Sequence, residues 1–217
     1  MSALPAILAG PIPRRCTTSQ LTLWLATPTA DDITVTIVQA GQTEPLFCER
    51  LDDTAHQRIR VGHRAWIHLL DIRSAFPEDE VLEYDIGLHL PEGIRWLADT
   101  LPDLGYRFGA RPSLVICSRI RKLYHGSCRK PHHDSGDALL RLDDSLRENV
   151  ADATMRPALL LLSGDQVYAD DVAGPMLVAI HQVIDALGLQ DESWTGTAVN
   201  NSQALYSSEL TLYRRDE

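Results

Sequence analysis

The first half of the chain alternates apolar and polar residues in short runs, and residues rich in Pro, Asp and Gly separate these runs. The pattern occurs in four segments: residues 21–26, 33–38, 65–70 and 82–88. Short alternating strands with regular turns are typical of an antiparallel β-sandwich, in which each strand buries one face. We therefore predict an N-terminal β-sandwich domain over residues 1–110.

The pattern changes near residue 111, where continuous apolar runs replace the alternation. These runs lie at residues 114–117 and 159–162, and residues 120–125 could form a further short strand. Strands that are apolar throughout, alternating with helices, are typical of a sheet covered on both faces. We predict an α/β domain over residues 111–217. An open α/β sheet usually has four or more strands, so we expect this domain to be incomplete.

Three segments of the second half have apolar residues at helical spacing. The first covers residues 139–150, with Asp134 or Ser135 as its expected N-cap. The second covers residues 177–187 and should end at Gly188, because glycine favours helix C-termini. The third covers residues 200–213, with Ser202 as a candidate cap.

Charge and cysteine usage exclude some classes of function. The 217 residues carry a net charge of −10, which argues against broad binding of nucleic acid or anionic membranes. The four cysteines lack CxxC spacing and indicate reduced thiols. The pair Arg14-Arg15 precedes polar residues rather than the apolar stretch of an export signal. We therefore expect a cytoplasmic location.

The first candidate site residue follows the apolar run at residues 159–162. Gly164 and Asp165 come next, and ligands of open α/β folds bind at the carboxyl ends of strands. A carboxylate there is a good ligand for a hard metal ion. The alternative is that Asp165 only caps a turn, and we expect Asp170 and Asp171 to cap the next helix.

The second candidate is Cys128, which the strand predicted at residues 120–125 would bring to the same sheet edge as Asp165. A thiolate is a strong ligand for iron or zinc, and Arg129 or Lys130 would lower its pKa. Arg129 could also hold a phosphate by a bidentate contact. One alternative is an inert cysteine beside two solvated charges. Another is a local zinc site formed by four residues: His125, Cys128, His132 and His133.

Two motifs, Ser127-Cys128 and Gly164-Asp165-x-x-Tyr168, together resemble the PhoD-type alkaline phosphatase family of metallophosphoesterases. Residues 9–12 and 21–25 are also similar to the sheet-rich N-terminal domain of that family. The resemblance implies hydrolysis of small phosphate esters with iron and calcium as cofactors. It also implies that Cys128 binds iron, that Asp165 bridges iron and calcium, and that Tyr168 reaches the calcium. Asp165 and Arg129 are then the candidate catalytic residues.

The chain departs from the family pattern after the Gly-Asp turn. Later ligands of the family include an Asn or Asp-Asp-His segment and further Asp and His residues. After Tyr168 this sequence offers only His181, Asn200 and Asn201. We expect His181 to be a core or rim residue of a helix, and Asn200-Asn201 to cap the last helix. We therefore expect a catalytic domain truncated before its second set of ligands, with weak or absent hydrolysis. The alternative function is a non-catalytic β-sandwich binding module fused to a truncated α/β segment.

Overall fold

The computed structural model describes residues 4–130, 133–166, 168 and 172–207. Within these residues, two antiparallel sheets pack into a β-sandwich. One sheet has the strand order β1-β2-β6-β5, and the other has β4-β3-β7-β8, with β9 also paired to β7. The strands are β1 (Ala9–Thr17), β2 (Gln20–Thr27), β3 (Asp32–Gln39), β4 (Pro45–Arg50), β5 (His56–Gly62), β6 (Ala65–Arg73), β7 (Val81–Leu90), β8 (Gly93–Trp96) and β9 (Ser113–Val115).

Alternation on β2 and β3 builds the core between the sheets, as predicted. Leu21, Leu23 and Leu25 of β2 face inward and are at most 1% exposed. Ile33 and Ile37 of β3 are fully buried opposite them. Burying a side chain of this size stabilises the fold by about 1.5–3 kcal/mol, so the apolar positions of the alternating pattern hold the sandwich together.

The apolar run at residues 114–117 belongs to the sandwich, so its predicted place in an α/β sheet is wrong. Ser113–Val115 pairs antiparallel with β7, from Val81 to Glu83. Leu114 and Ile116 point into the sandwich core. Val115 and Cys117, which alternate with them, are only half-buried. A continuous apolar run therefore does not mean that both faces of the strand are buried here. The sandwich thus extends beyond residue 110.

Two further strands, β10 (Leu123–Gly126) and β11 (Leu159–Leu162), form a separate parallel pair. Helix α2 (Ala138–Glu148) lies between them in the chain. The four leucines of β11 are 41–47% exposed, in contrast to the buried leucines of β2. The other described helices are α1 (Leu97–Thr100), α3 (Gly174–Leu187) and α4 (Ser202–Ser207). Among the described residues, no helix is long and apolar enough to cross a membrane.

The helix ends match the predictions in part. Helix α3 ends at Gly188, which adopts the left-handed conformation at φ +56°. Helix α2 is capped by Asp137, whose carboxylate accepts the N–H of Leu139 at 3.0 Å, and not by Asp134 or Ser135. Asp137 is the cap because it directly precedes Ala138, the first residue of the helix.

Helix α4 is described only as far as residue 207, so the part of the predicted helix beyond that position lies outside the described residues. Asn201 caps it, accepting the N–H of Ala204 at 2.7 Å. The predicted cap at Asn200-Asn201 is therefore confirmed at Asn201. The hydroxyl of Ser202, the other candidate cap, instead accepts the N–H of Glu192 at 2.9 Å.

The end of α3 contacts the hairpin between β5 and β6. The N–H groups of His63 and Arg64 donate to the carbonyls of Gly188 and Leu187, both at 2.8 Å. These backbone bonds tie α3 to the sandwich.

Candidate functional site

The candidate site lies where β10 and β11 end. The strands are parallel and pair in register up to Gly126 and Leu162, so their carboxyl ends share one edge. The N–H of Ser163 donates to the carbonyl of Gly126 at 2.9 Å and extends the pairing by one residue. The His125 ring Nε2 lies 2.6 Å from the Ser163 hydroxyl across the same edge. The two loops that carry the predicted site residues therefore leave the sheet side by side.

Gly164 allows these loops to pack against each other. Its φ is +78°, a conformation that residues with a Cβ rarely adopt. A Cβ at this position would lie 2.5 Å from the Ser127 hydroxyl oxygen and 3.4 Å from the Cys128 sulfur. Both the backbone angle and the close approach require glycine here.

Hydrogen-bond donors surround the Cys128 thiol, which lies exposed at this edge. Hydrogen bonds from the Ser127 hydroxyl, whose oxygen is 3.2 Å from the sulfur, and from the Tyr168 hydroxyl lower the pKa of Cys128. A weaker lowering comes from the backbone N–H of Asp165, while the Asp165 carboxylate acts in the opposite direction. Donors favour the thiolate because they stabilise its charge.

The structure thus brings Cys128, Asp165 and Tyr168 together. Cys128 also has a φ of +55°, which is uncommon for a residue with a side chain, and residues in such conformations cluster at active sites and ligand clamps. This conformation aims the sulfur at the Gly-Asp turn. A thiolate and a carboxylate that repel each other at a shared edge form a favourable environment for a cation, which would neutralise both.

The sulfur and oxygen atoms at this edge are of the types that bind metal ions, but they are few. A thiolate, a carboxylate and a phenol lie at the edge, and thiolate and oxygen ligands are those that iron accepts in proteins. Within the described parts of the chain, no three residues of the types His, Cys, Asp and Glu lie close enough to hold a metal ion. Of these residue types, the described part of the chain brings only Asp165 next to Cys128.

Arg129 binds a carboxylate of its own chain. Its guanidinium lies 2.7 Å from Asp137, the residue that caps α2. The ion pair raises the pKa of Arg129 and lowers that of Asp137. The Nε of Arg129 is buried and has no partner among the described residues. Arg129 therefore connects the Cys128 loop to the start of α2.

A cavity of about 390 Å³ lies between the Cys128 loop and α2. Polar side chains line much of it: Ser127, Cys128, Arg129, Lys130, His133 and Asp137. Its size suits a small ligand. Of the charged side chains that line it, Arg129 and Lys130 are cationic and Asp137 is anionic.

The local zinc site has no support among the described residues. His125 contacts Ser163, and the ring of His133 contacts Ser135 at 2.9 Å. His132 lies outside the described residues, as do Asp170 and Asp171. His181 lines a different cavity, of about 810 Å³, next to the end of α3.

Sequence reasoning missed several residues that shape the molecule. The sequence singles out Ser127 only as part of a motif, although its hydroxyl has the largest effect on the Cys128 pKa. Asp137 was missed as both cap and partner of Arg129. The buried pair His56 and His68 was also missed, although His68 occupies an inward position of the alternating segment at 65–70.

The chain was compared with models of known protein families and with curated proteins, and neither comparison finds a match. The resemblance to the PhoD-type family therefore depends on the quoted motifs alone.

Proposed function

We propose that this chain carries the thiolate side of a metal-dependent phosphoesterase site of the PhoD type, on the first strands of an incomplete α/β domain. The supporting observation is that the donors around Cys128 come from both strand ends, through Ser127 after β10 and through Asp165 and Tyr168 after β11. Ligand sites of open α/β folds form at such strand ends. The motif resemblance assigns the same three residues to metal binding.

Iron and calcium at this site would neutralise the phosphate group and lower the pKa of a bound water. Cys128 would hold iron as a thiolate, a form that its hydrogen bonds favour. Asp165 would be the ligand common to both ions, and Tyr168 would reach the calcium. The guanidinium of Arg129 is already paired with Asp137. Its affinity for phosphate would therefore be reduced by that ion pair.

Partial ligation limits the activity that this chain can have. A dinuclear site needs about six protein ligands, three per metal, and the quoted motifs supply three residues. Each missing anionic ligand leaves the cations less neutralised and less tightly bound. We therefore propose cation binding that is weak for such a site, with hydrolysis that is slow or undetectable. We further propose a small phosphate ester as the ligand, as the motif resemblance implies. We also propose the cytoplasm as the location, because the four cysteines among the described residues are free thiols.

The test combines metal analysis with hydrolysis of p-nitrophenyl phosphate in the presence of iron and calcium. The wild-type chain, Asp165→Ala and the control Asp191→Ala, which changes an exposed carboxylate elsewhere, are measured in parallel. We expect Asp165→Ala to lose bound metal and Asp191→Ala to keep it. Equal metal content in all three would refute the proposal. Turnover that depends on Asp165 would instead show that the partial ligand set is sufficient for catalysis.

A non-catalytic binding module is the second candidate, and the distribution of burial favours it. The buried hydrophobic cluster lies between Ile7 and Ile116, and the described helices α2 and α3 contain no buried residue. The sandwich is therefore the well-packed part of the described chain. Under this alternative, Cys128→Ser and Asp165→Ala would leave metal content unchanged.

A further inference from the structure

A chain of hydrogen bonds runs through the buried face of the four-stranded sheet. His56 of β5 and His68 of β6 are 2% and 0% exposed. The Nε2 of His56 lies 2.7 Å from the Nδ1 of His68, and the Nε2 of His68 lies 2.7 Å from the hydroxyl of Thr27. The Thr27 hydroxyl in turn donates to the carbonyl of Thr29 at 2.5 Å. The chain links β5, β6 and the end of β2.

The hydrogen bond from Thr27 to Thr29 determines the tautomer of each histidine ring. Because Thr27 uses its hydrogen on Thr29, its oxygen must accept from the Nε2–H of His68. The Nδ1 of neutral His68 is then an acceptor, and it receives the Nε2–H of His56. The Nδ1 of His56 is therefore an unprotonated nitrogen, buried without a partner among the described residues. Each neutral ring has one hydrogen, and the chain has no place for another.

The charges around the pair do not favour a second proton. Arg58 follows on β5 and pairs with His68 in the sheet register, so a cation lies next to the rings. Arg58 is bound by Asp32 at 3.0 Å and by Asp53 at 2.5 Å, and Arg50 also binds Asp32. The nearby carboxylates are thus already engaged by arginines. Burial, followed by the charges of the other ring and of Arg58, lowers the pKa of His56 to about 4.

Burial is also the main cause that lowers the pKa of His68 to about 4. Both rings are therefore neutral in the folded chain at neutral pH. In the unfolded chain each would titrate near 6.5.

We propose that the His56–His68 pair is an acid-sensitive lock, which holds the four-stranded sheet together only while both imidazoles are neutral. The sign follows from linkage. Below pH 6.5 the unfolded chain takes up protons that the folded chain refuses, so stability falls as the pH drops from 6.5 toward 4. For two rings, the unfolding equilibrium constant would rise by up to about a hundredfold per pH unit in this window.

The test is denaturant unfolding of the 217-residue chain between pH 7.5 and 5. The variant His56→Gln/His68→Gln keeps a donor and an acceptor at each position and cannot titrate in this range. The control is His89→Gln, since His89 is half-buried on β7 and bonds only Thr34, at 2.8 Å, among the described residues. We expect wild type and His89→Gln to lose stability on acidification much more steeply than the double variant. Equal pH dependence in all three would overturn the proposal.

A second measurement decides the matter even where the double variant does not fold. Imidazole nitrogen resonances of the folded wild-type chain are recorded over the same pH range. The proposal requires two rings that stay neutral, with hydrogen on Nε2, down to pH 5. Titration of every histidine near pH 6.5 in the folded state would overturn it.

Discussion

The backbone N–H of Asp165 hydrogen-bonds the sulfur of Cys128, 37 residues earlier in the chain. Parallel pairing of β10 and β11 produces this contact, because the loops after Gly126 and Leu162 leave the same edge. The contact places a thiol next to a carboxylate without any help from the sandwich. Local pairing of two short strands therefore determines the candidate site.

Cys128 should react as a thiolate at lower pH than an ordinary cysteine. Its pKa is lowered from 9.0 by hydroxyl donors, so its alkylation by iodoacetamide should reach half its maximal rate below pH 9. Tyr168→Phe removes one donor and should shift this midpoint to higher pH. The measurement is site-resolved mass spectrometry across pH 6–10.

Two controls separate this effect from general damage. The exposed Cys48 should keep its pH profile in Tyr168→Phe, and Tyr124→Phe should leave Cys128 unchanged, since the Tyr124 hydroxyl bonds Ser145 instead. An unshifted Cys128 midpoint in Tyr168→Phe would show that this tyrosine does not act on the thiol.

Gly164→Ala should disrupt the contact between the two loops. The new Cβ would lie 2.5 Å from the Ser127 oxygen, in a backbone conformation that alanine adopts at a cost of about 1–2 kcal/mol. We expect the Cys128 alkylation midpoint to move toward that of an ordinary thiol. Gly136→Ala is the matched control, because no atom lies within 4 Å of its Cβ position. Equal midpoints in both variants would contradict the described packing.

The sandwich should account for most of the measurable stability. Leu23→Ala removes a fully buried side chain and should reduce the free energy of unfolding by about 2–5 kcal/mol. Leu161→Ala removes a side chain that is 47% exposed on β11, and its effect should stay within about 0.5 kcal/mol. Urea unfolding followed by tryptophan fluorescence measures both. A similar loss from Leu161→Ala would mean that β11 is buried in solution.

Asp137 should have two separable roles. Asp137→Asn keeps an oxygen that can accept the Leu139 N–H but weakens the ion pair with Arg129, whereas Asp137→Ala removes both. Circular dichroism should show helix loss mainly in Asp137→Ala. Both variants should free the Arg129 guanidinium, so tighter binding of inorganic phosphate is expected in both. Unchanged phosphate binding would mean that Arg129 does not reach the ligand.

The alternation of apolar and polar residues predicted the sandwich correctly, because each sandwich strand buries one face. It succeeded on β2 and β3, where every second residue is an aliphatic side chain. It failed at residues 114–117, since an apolar side chain can also lie on the partly exposed face of an edge strand such as β9. The cap of α2 was missed because Asp134, Ser135 and Asp137 are all good cap residues. Of these, Asp137 also makes the ion pair with Arg129.

The sequence predicts the features of the candidate site that follow from parallel strand pairing. It does not predict contacts between side chains that are distant in the chain. Cys128 and Asp165 follow successive strands, so a parallel sheet places them together. The ion pair of Arg129 with Asp137 and the bond between His56 and His68 depend on loop geometry and register. Neither is visible in spacing along the chain.

Equilibrium dialysis with Co²⁺, a spectroscopic stand-in for iron, tests most directly whether Cys128 and Asp165 hold a cation together. The near-ultraviolet absorption of a cobalt–thiolate bond reports the sulfur ligand. The wild-type chain and Cys48→Ser should bind Co²⁺ with this absorption. Cys128→Ser should lose the absorption, and Asp165→Asn should bind at least tenfold more weakly. Equal binding by all four proteins, or none by the wild type, would contradict a shared cation site.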